Sequence, residues 1–260
     1  MARTPRRTSG RRGGRVLAVG RYARLDRDRS HRVGVPEVVL GEGKSVAHLL
    51  GIVRSYAALK EGALVSRPTV SQHRALVAAR AQGLPIRFLA GGRLVRLSGP
   101  LGGTYREGTV GIVTAGTSDV PLAEEARGVL DELGLTVVTA YDVGVAGLHR
   151  LLRAVRRLER ARPEIYLAFA GREGALPTVL AGLVGAPVIG VPTSVGYGRG
   201  GRGEAALNAM LQSCAPIAVV NIDAAVPAAL VAAQRFAMSG PRSQPGPTPR
   251  RRRPRRRTRP

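Results

Sequence analysis

The stretch AMLQSCAPIAVVNID holds the single cysteine of the 260 residues, Cys214. A lone thiol beside Ser213 is either a small buried hydrophobe or a covalent nucleophile. Its place works against the second role: it closes a helix-like segment just before Ala215-Pro216, where the helix dipole is negative and disfavours a thiolate. A cation brought beside it would have to supply the activation. Carboxylates offer other chemistry. Glu173, in AGREGALP, is either a helix cap or a proton acceptor or metal ligand. Asp142, in AYDVG, is a third catalytic candidate. His149, in AGLHRLL, sits about a turn inside a helix and reads as a packing or hydrogen-bonding residue rather than a base.

Binding groups surround these residues in sequence. AGTSDVPLAEEA supplies Gly116 for close approach, then Thr117, Ser118 and Asp119 at a helix start. Its acids complement the helix dipole, and Ser118 and Asp119 can also meet a ribose or phosphate edge. VPTSVGYGRGGRG presents Thr193, Ser194, Gly196, Tyr197 and Gly198 in a loop with five glycines from Gly196 to Gly203, which can fold over a ligand or expose backbone donors. The Lys-Ser/Thr of a Walker loop is absent. Gly171 and Gly174 flank Glu173 and allow backbone to approach a ligand there.

These segments share one placement. The apolar runs TVGIVTA, LTVVTA, EIYLAFA, APVIGV and IAVVNI are separated by helix-like segments starting near Asp119, Ala146, Gly174 and Glu204. Runs without a polar alternate face predict strands buried on both sides, and strand-helix repetition predicts a parallel sheet covered by helices. In such sheets the binding crevice lies beyond the carboxyl ends of the strands, where AGTSD, AYDVG, AGREGALP, VPTSVGYG and NIDAAV fall. Upstream, KSVAHLLGIVRSYAALKEG places Val46, Leu49, Leu50, Val53, Tyr56 and Ala57 on one helical face. A strand, a helix from about Ser71 to Gln82, and extended pieces at 86–89 and 94–97 complete a small α/β unit. The expected organisation is a basic disordered start over 1–20, a small α/β unit over 21–105, a parallel-sheet domain over 106–238 and an Arg/Pro-rich disordered tail over 239–260.

The net charge of +24 points to an acidic partner, but residues 1–32 hold eleven Arg against two Asp and residues 241–260 hold nine Arg and no acid, so the ends carry +18 of it. Nucleic-acid binding is thus expected only through those ends, with strong salt dependence. Three Phe and no Trp leave little for base stacking. One cysteine excludes an intramolecular disulfide, a CxxC pair and a multi-cysteine zinc site. The absence of a signal-like start and of an 18-residue apolar run predicts a soluble cytoplasmic chain with no membrane partner.

Together, GTSDVPLAEEA, AGREGALPTVLAGLVGAPVIGVPTSVGYG and NAMLQSCAPIAVVNID resemble the LarB family, the pyridinium-3,5-biscarboxylic acid mononucleotide synthases of nickel-pincer cofactor biosynthesis. LDRDRSHRVGVPEVVLGEGKS resembles that family's N-terminal region, so the likeness spans about residues 22–224. The C-terminal half is also similar to aminoimidazole ribonucleotide carboxylase, which implies a flavodoxin-like parallel sheet and a homo-oligomer. The family resemblance implies carboxylation of nicotinic acid adenine dinucleotide at pyridinium C5, with carbon dioxide or bicarbonate as cosubstrate and phosphoanhydride hydrolysis to AMP. Cys214 then matches the nucleophile in SCAP and Glu173 the acceptor of the C5 proton. Ser118, Asp119 and the 193–198 loop match the dinucleotide site. Mg²⁺ would neutralise the pyrophosphate, and no bound organic cofactor is expected.

Departures from the family pattern are local. Arg199 and Arg202 replace an apolar, glycine-rich continuation of VGYG; Ala224-Ala225 replace Asn-Gly after NID; and Arg172 stands where a neutral residue is common. Two other readings remain: a purine-type carboxylase acting on aminoimidazole ribonucleotide, and a nucleic-acid-binding protein acting through its arginine-rich ends.

Overall fold

The computed structural model describes residues 16–196 and 198–238. Tyr197 and the expected tail lie outside that span. The chain runs β1 (Val16–Val19), β2 (Ala23–Asp26), α1 (Arg29–Val33), β3 (Val38–Leu40), α2 (Val46–Ala58), β4 (Ala63–Ser66), α3 (Val70–Ala81), β5 (Ile86–Leu89) and β6 (Leu94–Leu97). It continues through β7 (Thr109–Thr114), α4 (Val120–Glu132), β8 (Thr136–Ala140), α5 (Leu148–Leu158), β9 (Ile165–Ala170), α6 (Ala175–Ala181), β10 (Val188–Pro192), α7 (Glu204–Leu211), β11 (Ile217–Val219) and α8 (Ala225–Gln234). The strand β1 falls inside the segment expected to be disordered. The short run VLAV pairs antiparallel with β2, and Val19 and Leu25 are buried against α2 residues such as Leu49 and Val53.

The second half is a five-stranded parallel sheet in the order β11-β10-β9-β7-β8. Numbered within the domain this is 2-1-3-4-5 read from the other edge, the flavodoxin-like order, which places a topological switch point between β7 and β9. The continuous apolar runs explain the inner strands: β9 and β10 are buried at every residue, and β7 at all but the first. At the two edges the expectation of burial on both faces does not hold, since β8 and β11 have only one neighbour each, β8 is buried only at Ala140 and β11 at no residue. α5, α6 and α7 cover one face through Leu151, Leu176 and Met210. On the other face lie α4 and α8, whose Ala126, Ala229 and Ala232 are fully buried.

The N-terminal unit is a four-stranded sheet in the order β3-β4-β6-β5, with α2 and α3 on its outer face. Leu64 and Leu94 of this sheet share one core with α4. Gly128 on α4 makes the approach close enough that a Cβ there would stand 2.9 Å from Leu94 Cδ2. Two ionic clusters reinforce this seam: Glu132 at the end of α4 pairs with Arg87 of β5 and Arg96 of β6, each at 2.8 Å, and Glu125 forms the second. Glu125, whose acidic neighbourhood reads in sequence as a complement to the helix dipole, is instead completely buried. It accepts from Ser66 Oγ at 2.6 Å and lies 3.4 Å and 3.3 Å from the Nε atoms of Arg67 and Arg93. A carboxylate with this burial is retained only when paired and hydrogen-bonded, so the cluster pins the two units together. No helix among the described residues is long and apolar enough to cross a membrane.

Candidate active site

The carboxyl ends of β7, β8 and β9 open onto a crevice of about 590 Å³ at the switch point. Gly116, Ser118 and Asp119 line it from the turn after β7, Gly171, Glu173 and Gly174 from the turn after β9, and Gly196 from the loop after β10. Arg150 on α5 and Arg172 also line it.

The turn after β7 is held from within. Asp119 is buried; its Oδ2 accepts from the Gly116 N–H at 2.9 Å and its Oδ1 from the Thr193 hydroxyl at 2.6 Å. Burial pushes its carboxyl above the ordinary range, the nearby Asp223 charge adds to that, and the two hydrogen bonds oppose it. Asp119 and Thr193 therefore brace one turn against another, leaving Ser118 exposed at the crevice. Thr117 is exposed in the same 3₁₀ turn and does not line the crevice.

Glu173 stands exposed before α6 and makes no ion pair or hydrogen bond among the described residues. The glycines beside it are structural requirements. A Cβ on Gly171 would collide with the Val195 carbonyl and stand 2.6 Å from Thr193 Oγ1. Gly174 has φ of 66° and caps α6 in the left-handed conformation.

Asp142 stands beside the crevice rather than in its lining. Its N–H donates to Thr114 Oγ1 at 3.0 Å, and its carboxylate pairs with Arg150 at 3.0 Å, so it orients a guanidinium that lines the crevice without lining it itself. His149, beside Arg150, is exposed rather than packed. Ser194 donates its N–H to Asp223 Oδ1 at 2.7 Å. Gly198 is exposed with φ of 63°.

Ser213 and Cys214 lie outside this crevice. α7 runs back along the sheet after β10, and β11 begins at Ile217, so both residues stand at the amino end of β11, opposite the carboxyl ends that form the site. The Ser213 hydroxyl accepts from Thr178 Oγ1 at 2.8 Å and from the Ala215 N–H at 3.1 Å, shaping the turn. Cys214 is exposed, not core-filling.

Two residues that the sequence reading missed, Arg150 and Arg67, bear on the site, and Asp223 of the fifth strand-end segment braces its loop. Arg150 lies within HRLL, in the first turn of the helix that follows the AYDVG strand end, where the crevice rule could have found it. Asp223 ends NID at the last strand. Arg67 reaches across from the N-terminal unit, donating to the Asp223 carbonyl, and no local signal marks a contact between residues so far apart. Among the described residues no group of three His, Cys, Asp or Glu side chains is placed to hold a metal ion. With both oxygens of Asp119 taken by donors and Asp142 paired to Arg150, the residues present do not fit a resident Mg²⁺.

Comparison with known proteins agrees with this architecture. Residues 17–95 match the LarB/PurE-like N-terminal domain and residues 109–246 match AIR carboxylase. The uncharacterized protein MJ0165 of Methanocaldococcus jannaschii is 40% identical over 204 residues, covering 77% of this chain and 78% of that one. An N5-carboxyaminoimidazole ribonucleotide mutase of Pyrococcus horikoshii is 33% identical over 129 residues, 47% of this chain and 69% of that protein. The crystal structure of Treponema denticola PurE aligns with a TM-score of 0.42 at 26% identity, over 50% of this chain and 80% of that one. The two matched domains define the class as carboxylase- and mutase-type enzymes. The chain belongs to the AIR carboxylase family in the arrangement of the LarB proteins, a LarB/PurE-like N-terminal domain followed by the carboxylase domain.

Proposed function

We propose that the chain carboxylates pyridinium C5 of nicotinic acid adenine dinucleotide and hydrolyses its phosphoanhydride, giving pyridinium-3,5-biscarboxylic acid mononucleotide and AMP. The observation that carries this reading is the meeting of unpartnered Glu173 with the braced Gly116–Asp119 turn in one switch-point crevice, in a chain with both matched domains.

A pyridinium ring is electron-poor and does not attack carbon dioxide. A thiolate adding to C4 forms a C–S bond, neutralises the ring and makes C5 enamine-like and nucleophilic. C5 then bonds to carbon dioxide, its proton passes to the Glu173 carboxylate, and cleavage of the C–S bond restores the aromatic cation. Arg150, held by Asp142, and Arg172 supply positive charge for the pyrophosphate, while Ser118 and the 194–196 backbone orient the nucleotide. The thiolate is that of Cys214. Because Cys214 stands at the other end of its own sheet, the thiol serving each crevice comes from a neighbouring copy, and the working enzyme is a homo-oligomer.

The mutase relatives favour a second reading, carboxylate transfer on aminoimidazole ribonucleotide, but they match only about half of this chain and leave out the N-terminal unit. Purified protein incubated with nicotinic acid adenine dinucleotide, bicarbonate and Mg²⁺ should release AMP and a doubly carboxylated mononucleotide. Absence of both products from folded protein overturns the assignment.

A further inference from the structure

The N-terminal unit has a cavity of its own, about 420 Å³, between the start of α3 and the glycine turn that joins β5 to β6. Arg67, His73, Arg74, Arg93, Gly91 and Gly92 line it, and no acidic residue does. The carboxylate nearest its charges is Glu125, fully buried, which takes the Nε atoms of both Arg67 and Arg93 on the same oxygen, at 3.4 Å and 3.3 Å, and the Ser66 hydroxyl on the other. One carboxylate thus faces two guanidiniums, and Arg74 adds a third with no ion pair among the described residues. Val70, the first residue of α3, also lines the cavity, so the positive end of a twelve-residue helix adds to the same field.

This charge is excessive for the structural task. Joining α4 to the N-terminal sheet needs one guanidinium against Glu125, and a second in a concave, partly desolvated place costs free energy unless an anion completes it. Nε of Arg67 and Arg93 point to Glu125, which fixes their planes and leaves terminal nitrogens for another acceptor; in Arg67 one of these already holds the Asp223 carbonyl. Guanidiniums held in this way match phosphate oxygens in pairs of parallel hydrogen bonds.

We propose that this cavity is a second anion site, separate from the crevice, which takes the phosphate group of a nucleotide. Its occupancy bears on the crevice through Arg67, because Arg67 holds the Asp223 carbonyl and the Asp223 carboxylate holds the Ser194 N–H at the crevice loop.

The test is calorimetric titration of the full chain at low salt with AMP, inorganic phosphate and adenosine, for the wild type, Arg74→Glu and Arg74→Lys. AMP and phosphate should bind the wild type at least tenfold tighter than adenosine. Arg74→Glu should weaken both at least tenfold with unchanged thermal unfolding, and Arg74→Lys should weaken them less. Adventitious binding to the arginine-rich ends is indifferent to one substitution in the cavity, so equal affinities across the three proteins overturn the proposal, as does adenosine binding as tightly as AMP. Competition by nicotinic acid adenine dinucleotide against bound AMP assigns the phosphate to the dinucleotide, and simultaneous binding assigns it to a free nucleotide. No arm reads turnover, so failure of the carboxylation reading leaves this result standing and is distinguishable from it.

Discussion

Asp119 combines a structural and a functional demand in one side chain. Removing it in Asp119→Ala strands the half-buried Gly116 N–H and the fully buried Thr193 hydroxyl, and should lower stability by about 2 kcal/mol, measured by chemical denaturation. Its raised carboxyl also makes stability depend on pH. The folded chain holds this proton more firmly than the unfolded one, so the contribution is complete below the ordinary carboxylate range and is lost as pH rises through the raised folded value. Relative to Asp119→Asn, which does not titrate, the wild type should lose denaturation free energy over that rise; a constant difference between the two would contradict the burial argument. Ser118, Asp119 and Glu173 are legible in sequence because the strand-end rule needs only apolar periodicity to place them. The pairing of Asp142 with Arg150 was not, since both stand near the same strand end and only side-chain direction separates catalyst from positioning residue.

At the scale of elements, two contacts hold the crevice in place. The Glu125 cluster joins α4 to the N-terminal sheet, and Glu125→Ala leaves Ser66, Arg67 and Arg93 without their shared acceptor. Loss of one partner from a buried ion pair costs about 3 to 5 kcal/mol. The expected outcome is early unfolding of the variant in denaturant, and an unchanged midpoint would show that the apolar seam of Leu64 and Leu94 and the Glu132 ion pairs with Arg87 and Arg96 suffice. Gly171 controls the approach of the β9 and β10 loops. In Gly171→Ala the added methyl must push away the Val195 backbone and buried Thr193, so kcat/KM should fall at least about tenfold and the thermal transition should fall with it. The strands and helices of the parallel sheet follow from sequence because each is a continuous apolar run between glycine-rich turns. β1 does not, because its four residues gain burial only after α2 is in position, and Glu125 does not, because an acid in AEEA looks solvent-facing until a second domain covers it.

For the whole molecule, the distribution of the reactive groups is the main consequence of the fold. Glu173 lies at the carboxyl ends of the strands and Cys214 at the amino end of β11, so one chain cannot bring them together. Sequence proximity of SCAP to NID conceals this, since a strand that places its two ends on opposite sides of the sheet separates them. Cys214→Ala and Glu173→Gln should each be inactive alone, and refolded mixtures of the two should recover activity, up to roughly a quarter of wild type at equal proportions if each site draws its thiol from one neighbour. Lack of recovery from correctly assembled mixtures would contradict a shared site. The central claim concerns the ring that receives the carboxyl group. The most direct measurement supplies ¹³C-bicarbonate with equal nicotinic acid adenine dinucleotide and aminoimidazole ribonucleotide, and follows the label by mass spectrometry. The account expects the label in a doubly carboxylated pyridinium mononucleotide, with AMP formed in step. Label in the aminoimidazole product alone, or in neither, would contradict it.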